Sequence, residues 1–532
     1  MKKYMIRIPA MTLMFAVILI SCTKKLDLFP QNDVTSEVVY STSLGYKQSL
    51  AKIYGSMALT GNQGPTGQAD VFFPGSDEGG NADFFRSYWK AQELSTDEAV
   101  IAWGDAGIQD FHNMNWTPSN QFLTGVYYKS LYQITLVNEF LRQSSDGKLS
   151  DRNISGADAE DIRKYRSEVR FLRAFQYAVL MDLFGNPPFV TELNVIGGPN
   201  PPQILRKDLF TYVESELKAI ETTLAAARTS EYGRADQAAA WALLARIYLN
   251  AEVYTGGPKY TEAITYSKKV IDAGYTLSAN YRQLMLADNH LNKNEFIFTI
   301  NYDGAKTQGF GGTTFLTNAS IGGSIIAASA GVNSGWGGLR TTKAFVQKFA
   351  DPSGNTDKRA QFYVNGQNLE IASQTTFTEG YAIRKYLNIT RTGTAGKNDL
   401  FVDIDMPLFR LPEMYLVYAE AVKRGGSGGD ATLALAYINA LRARAYGNTS
   451  GNINSVDLTL QFILDERARE LYWEGFRRTD LIRYKQFTEG SYLWPWKGGV
   501  PGGTSKSADF NVFPLPSSDI NANTNLVQNK GY

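Results

Sequence analysis

Glu466, Glu470 and Glu474 recur four residues apart in LDERARELYWEGFRRTDLIRY, residues 464–484. On a helix that spacing puts three carboxylates on one face. A pair of carboxyl groups flanking a glycosidic bond hydrolyses it when one of them is held protonated. Arg467, Arg469, Arg477 and Arg478 share the same run, and neighbouring guanidiniums lower carboxyl pKa values and remove the acid. The block therefore predicts an ion-pair network that clamps the C-terminal helices. Ser95 and Glu98 in ELSTDEAV (93–100) have the spacing of a capping box and predict a helix start. His112 and His290 are the two imidazoles of the chain. They stand far apart, with no second ligand at metal spacing, which argues against a zinc site or a His-based triad. No G-x-x-x-x-G-K-[ST] run offers a phosphate cradle. No metal, no cofactor and no enzyme activity is expected.

The aromatics on irregular segments point to different chemistry. A sugar ring has a C–H face that a flat aromatic covers, and an edge of hydroxyls that short polar side chains meet. Trp103 lies in IAWGDAG with Asp105 two residues on; Trp336 lies in NSGWGGLR with Asn333 and Arg340 near; Tyr302 lies in INYDG. Trp103, Asp105, Trp336, Arg340 and Tyr302 are the candidate glycan-binding residues. Trp241 and Trp473 fall in helical motifs and are expected in the core, whereas Trp89, Trp116, Trp494 and Trp496 are left open by their contexts.

Cys22 is the one cysteine in 532 residues. It follows a basic head (Lys2, Lys3, Arg7) and an apolar run, residues 11–20, too short to span a bilayer. These features read as a secretory signal. Leu19-Ile20-Ser21-Cys22 resembles the lipobox of bacterial lipoproteins, in which cleavage before the cysteine is coupled to its acylation. Several acyl chains hold a soluble domain on a membrane stably. Loss of the signal leaves a nearly neutral chain without a dense Lys/Arg tract, so no nucleic-acid partner is expected.

Helical spacing dominates the elements that must carry these residues. Tyr46, Leu50, Ile53 and Met57 mark a first amphipathic helix. Residues 72–118 show no clear period. Tyr127–Leu141, Tyr165–Leu183 and Leu209–Leu224 mark further helices, the middle one stopping at Gly185-Asn186-Pro187-Pro188. Trp241, Leu244, Ala245 and Tyr248 have the spacing of a tetratricopeptide first helix, with Ala263, Tyr266 and Val270 on its partner. Pro412, Tyr415, Tyr418, Ala419 and Val422 repeat that pattern, followed by Ala431, Leu435 and Ile438. A loop-rich insertion separates the two pairs, with a short strand at residues 296–300 and a Gly/Ser/Ala/Thr-rich stretch at 304–338. The fold class is all-α, an α-solenoid scaffold of tetratricopeptide-like pairs with long irregular loops and a few short strands.

Across its length the chain resembles the SusD/RagB family of Bacteroidetes outer-membrane nutrient-binding lipoproteins. Cys22 with Leu26-Asp27 and Pro30, ELSTDEAV, RFLRAFQYAVLMDLFGNPPFVTE (170–192), LFRLPEMYLVYAEAV (408–422), the 464–484 run and the closing QNKGY carry the resemblance in order. Lys530 stands where the family's usual ending has proline. Thr23, Lys24 and Lys25 stand where acidic export residues often follow the cysteine.

The resemblance implies four tetratricopeptide-like pairs supporting ligand-binding loops. It also implies a SusC-like TonB-dependent barrel as partner, on which the protein sits as a lid, lipid-anchored in the outer membrane and facing the exterior. The expected organisation is a signal peptide (1–21), a lipidated tether (22–40) and one SusD-like domain (41–532). Within that domain the expected parts are 41–230, the repeat pair 231–276, the insertion 277–405 and the C-terminal part 406–532. Peptide cargo, as in RagB-type relatives, surface glycoside hydrolysis and a repeat scaffold that binds only protein are the competing readings.

Overall fold

The computed structural model describes residues 35–65, 68–76 and 80–532. The signal segment and Cys22 lie outside the described residues. No helix among those described is long and apolar enough to cross a membrane.

Helix α1 (Ser43–Ala58) starts where the Thr42 side chain accepts from the Gly45 N–H, and it buries Tyr46, Leu50, Ile53 and Met57. Helix α2 (Phe84–Glu93) lies inside the segment that shows no period. Phe84, Phe85, Tyr88 and Trp89 recur at helical spacing within it, and most of its residues are buried, Lys90 and Glu93 included. After the short strand β1 (Val100–Ile101) come α3 (Gln121–Gln143), α4 (Gly156–Phe184) and α5 (Arg206–Ile220). Gly185, at φ +71°, ends α4 where the sequence predicts a stop. The tetratricopeptide-like pair is α6 (Gln237–Leu249) and α7 (Tyr260–Asp272). Strand β2 (Phe296–Ile300), helix α8 (Gly312–Ala319) and strands β3 (Leu339–Arg340) and β4 (Met406–Arg410) follow. The second pair is α9 (Leu411–Lys423), with proline in its first turn, and α10 (Ala431–Tyr446). Helices α11 (Leu460–Leu471) and α12 (Arg477–Arg483) come last.

Each helix packs on the next along the array: α3 on α4, α4 on α5, α5 on α6, α6 on α7, and α9 on α10. Helix α7 packs directly on α9, so the two repeat pairs are neighbours despite the insertion between them. The insertion leaves and returns through one neck. There β2 and β4 pair antiparallel, from Phe296 opposite Arg410 to Ile300 opposite Met406. One large connected apolar core runs from Tyr40 to Leu526.

Ser95 and Glu98 do not start a helix. Ser95 follows the end of α2, and its hydroxyl donates back to the Ala91 carbonyl. Glu98 instead takes the backbone N–H of Trp473 on its carboxylate and the indole N–H of Trp473 on its carbonyl. Trp473 sits in the left-handed region at φ +62°. Beside it, Asp97 and Arg477 form a bidentate pair at 2.7 and 2.9 Å, both side chains buried. The two motifs are spent on each other, which local spacing cannot reveal.

Candidate functional site

Two loops that stand far apart in sequence are zipped together at the surface. Val100 pairs with Arg340 and Ile101 with Leu339 in an antiparallel β1–β3 ladder, and the Ala102 N–H extends it to the Gly338 carbonyl. The ladder sets Trp103 beside Trp336. Their ring centroids are 6.4 Å apart and the planes are inclined at 42°. The Trp103 indole N–H donates to the Trp336 carbonyl at 3.0 Å. Gly338 allows this approach, since a Cβ there would lie 2.7 Å from Trp103 Cε2.

Helix α8 holds the other side. Backbone N–H groups of Trp336 and Gly338 donate to the carbonyls of Asn318 and Ala319, and that of Gly337 to Ile321 just beyond, each at 2.8 Å. The loop thereby satisfies carbonyls that a helix end leaves open. Phe310 continues the aromatic arc, 6.2 Å from Trp336 and 5.4 Å from Phe401. Phe315 meets Trp103 edge-on from beneath, at 5.9 Å. The Arg86 guanidinium lies over Phe315 and Trp103, and one of its N–H groups donates to the Phe310 carbonyl at 2.8 Å. Asp83 joins the parts, since its carboxylate receives the N–H of Arg86 at the start of α2 and that of Gly312 at the start of α8. Phe310, Phe315 and Arg86 were not singled out by sequence. The lone phenylalanine between glycines in GFGG was the available signal for Phe310.

The five sequence candidates separate into a surface set and a buried set. Trp103 and Trp336 are half-buried at the surface, and Asp105 is exposed on the loop beyond Trp103. Arg340 is 0% exposed. Its guanidinium donates to the carbonyls of Glu379, Gly338 and Gln374. Burial lowers its pKa to about 10. It pins the 374–379 loop to β3 and does not reach a ligand at the surface, which corrects the expectation of a hydroxyl contact. Tyr302 is also buried, at 8% exposure, with its hydroxyl under the Gly311-Gly312 turn. A Cβ on Gly312 would fall 2.2 Å from that hydroxyl, and Gly312 adopts φ +51°. Tyr302 therefore supports the Phe310 turn from below, and the expected stacking contact is corrected.

Of the tryptophans left open by sequence, Trp89, Trp116 and Trp494 are buried, while Trp496 is half-buried and donates to the Ile371 carbonyl at 2.8 Å. Trp473 is core as expected; Trp241 is half-buried at its edge.

The carboxylates are fully committed. Glu466 takes Arg359, Arg442 and Arg469; Glu470 takes Arg359, Arg410 and Arg444; Glu474 takes Arg410 and Lys385. Helix α11 ends at Leu471, so Glu474 lies beyond it and not on the same helix as expected. Burial pushes the Glu466 and Glu470 carboxyls up. The guanidiniums outweigh it and hold Glu466 well below the usual range and Glu470 at about 2. Glu93 and Glu98 do form a pair with raised pKa values, Glu93 at about 7, through burial and, for Glu98, the neighbouring Glu93 charge. Both are buried against residues 473–476, away from the surface. His112 is buried too, its Nε2 accepting the Ile101 N–H at 3.2 Å. Burial, with Arg340 nearby, lowers its pKa to about 3, so it serves β1 as a neutral acceptor. Among the described residues no cluster of three His, Cys, Asp or Glu side chains is placed to hold a metal.

A tetratricopeptide-like scaffold that presents a loop-built aromatic platform is the class these features define. The SusD family profile matches residues 350–532. The chain is 37% identical to the starch-binding protein SusD of Bacteroides thetaiotaomicron, over 96% of each chain. It is 24% identical to the SusD-like protein P25 of Formosa agariphila, over 96% of this chain and 97% of that one. The chain belongs to the SusD family. Among solved structures, a SusD superfamily protein from Parabacteroides distasonis matches with a TM-score of 0.71 and 21% identity, covering 94% of this chain and 100% of that chain. The surface glycan-binding protein A of Bacteroides thetaiotaomicron, in complex with laminarihexaose, matches with a TM-score of 0.68 and 21% identity, over 91% of this chain and 98% of that chain. At those identities the likeness is one of fold.

Proposed function

We propose that this protein is a non-catalytic glycan-binding lipoprotein that captures an oligosaccharide on the Trp103–Trp336 platform. The carrying observation is the ring pair itself, two half-buried indoles held 6.4 Å apart by a β ladder. Flat apolar faces at the surface suit the C–H face of a sugar. Asp105 and Asn333, both exposed beside them, suit its hydroxyls. The relatives support the same class of ligand: one at 37% identity is named for starch binding, and a structural neighbour holds laminarihexaose. A starch-type α-glucan is therefore the first ligand to test.

The non-catalytic reading is supported by the carboxylates, which are consumed by guanidiniums or buried beneath the scaffold. Residues 41–532 act as one domain in this proposal. Cys22 carries the lipid, the tether places the domain on the outer face of the outer membrane, and a SusC-like TonB-dependent barrel receives the glycan. Incubation of the purified protein with starch, laminarin and a peptide panel tests the reading. Binding of a glycan without new reducing ends is expected. Release of reducing ends, or binding of peptides alone, would overturn it.

A further inference from the structure

Beyond the Trp103 loop the surface falls into a groove of about 740 Å³, within the range of ligand sites. One wall of the groove, Ala106 and Gly107, belongs to the loop that follows Trp103. Ala106 is three residues past Trp103, so by chain length alone the groove's rim lies within about 11 Å of the platform. That wall is braced on both sides. Gln109 donates to the carbonyls of Ile101 and Trp103; Gln121 donates to that of Ala106 and Asn120 to that of Gly107.

The groove's lining also carries Phe72, which is 85% exposed. Every other described aromatic side chain is half-buried or buried. The lining also holds hydroxyl and amide side chains, among them Ser119, Gln121 and Ser518. An exposed ring and hydroxyl or amide side chains lining one groove repeat the chemistry of the platform. The other concavities differ. One is a narrow space in the core among Tyr88, Asp182 and Arg246, two flank the 231–234 turn, where Arg234 is paired with Glu168, and another, between Asp146 and Arg163, has no aromatic residue in its lining.

We propose that this groove is a second subsite for the same glycan, occupied by the units of a longer chain that extend past the platform, with Phe72 as its stacking ring. The proposal rests on the glycan reading above. It makes affinity depend on chain length through a residue far from the tryptophans in sequence.

The test is titration calorimetry with maltooligosaccharides and laminarioligosaccharides, each series running from trisaccharide to heptasaccharide, on the parent protein, Phe72→Ala and Trp336→Ala. Because Phe72 is exposed, its removal is expected to leave the melting temperature at the parent's value, which thermal unfolding checks. Phe72→Ala should weaken the heptasaccharide of the bound series by about tenfold and leave the trisaccharide unchanged. Trp336→Ala should weaken both. Parent-like affinity of Phe72→Ala at every length overturns the second subsite and leaves the platform standing. Failure of the parent protein to bind either series overturns both.

Discussion

The carbonyl of Trp336 receives the indole N–H of Trp103 at 3.0 Å, so the Trp103 ring is tied to the loop that carries the Trp336 ring. The Trp103 ring cannot turn without breaking a bond that the Trp336 backbone holds. Gly338 is the residue on which this link depends most. A Cβ there meets Trp103 at 2.7 Å, well inside van der Waals contact. Gly338→Ala is expected to cost about 1–3 kcal/mol of stability, as overpacking typically does. It should also displace the Trp103 indole, read as a shift in tryptophan fluorescence. Parent-like fluorescence and stability would show that the loop absorbs the methyl group.

Glu474 joins Arg410 and Lys385, each at 2.7 Å, with all three side chains buried. Breaking a buried pair by removing one partner costs about 3–5 kcal/mol. Glu474→Gln should lower stability to chemical denaturation by that order and leave glycan affinity unchanged in the folded fraction. An unchanged unfolding midpoint would remove Glu474 from the network that clamps the C-terminal helices.

Glu93 and Glu98 set a pH dependence. Both carboxyls are raised above the ordinary value, Glu93 to about 7. The folded protein therefore holds protons that the unfolded chain has released above about pH 4.5, and stability falls as pH rises wherever that is so. The contribution is complete below that pH and is lost as pH climbs through about 7. Asp236 and Asp405, each raised to about 6 by burial, slope the same way. Melting temperature should decline from about pH 5 to about pH 8, and Glu98→Gln should flatten part of that decline. An unchanged slope in the variant would assign the dependence elsewhere.

Arg340 is buried and pins the 374–379 loop to β3. Arg340→Leu should free the 374–379 loop from β3 and raise hydrogen exchange there and at β1. Loss of glycan affinity without any change in exchange would instead put Arg340 in contact with the ligand.

Much of this was legible in the sequence. Helical spacing of apolar residues located α1, α3–α7 and α9–α10, and the Glu466/Glu470 spacing located α11. It missed α2, whose stripe of Phe84, Phe85, Tyr88 and Trp89 is short and set in a segment rich in Gly, Asp and further aromatics. Trp103 and Trp336 were legible as aromatics in glycine-rich loops, and the fold brings them together. Arg340 and Tyr302 share that context, yet one faces backbone carbonyls and the other lies beneath a glycine turn. Loop composition does not say which way a side chain points. The Ser95–Glu98 spacing was misleading for a similar reason, since Glu98 is claimed by Trp473 from the other end of the chain.

Trp103 also packs on Gly338 and Phe315, so its loss mixes binding with stability. Trp336→Ala separates them more cleanly. Titration calorimetry of this variant against the maltooligosaccharide or laminarioligosaccharide that the parent protein binds best is the most direct measurement. A stacked ring at the centre of a site is worth about 2 kcal/mol or more on truncation. The expected result is a loss of at least about tenfold, or ~1.4 kcal/mol, with helical content and melting temperature close to the parent's. Parent-like affinity in a folded Trp336→Ala would contradict the platform and place the glycan elsewhere on the surface.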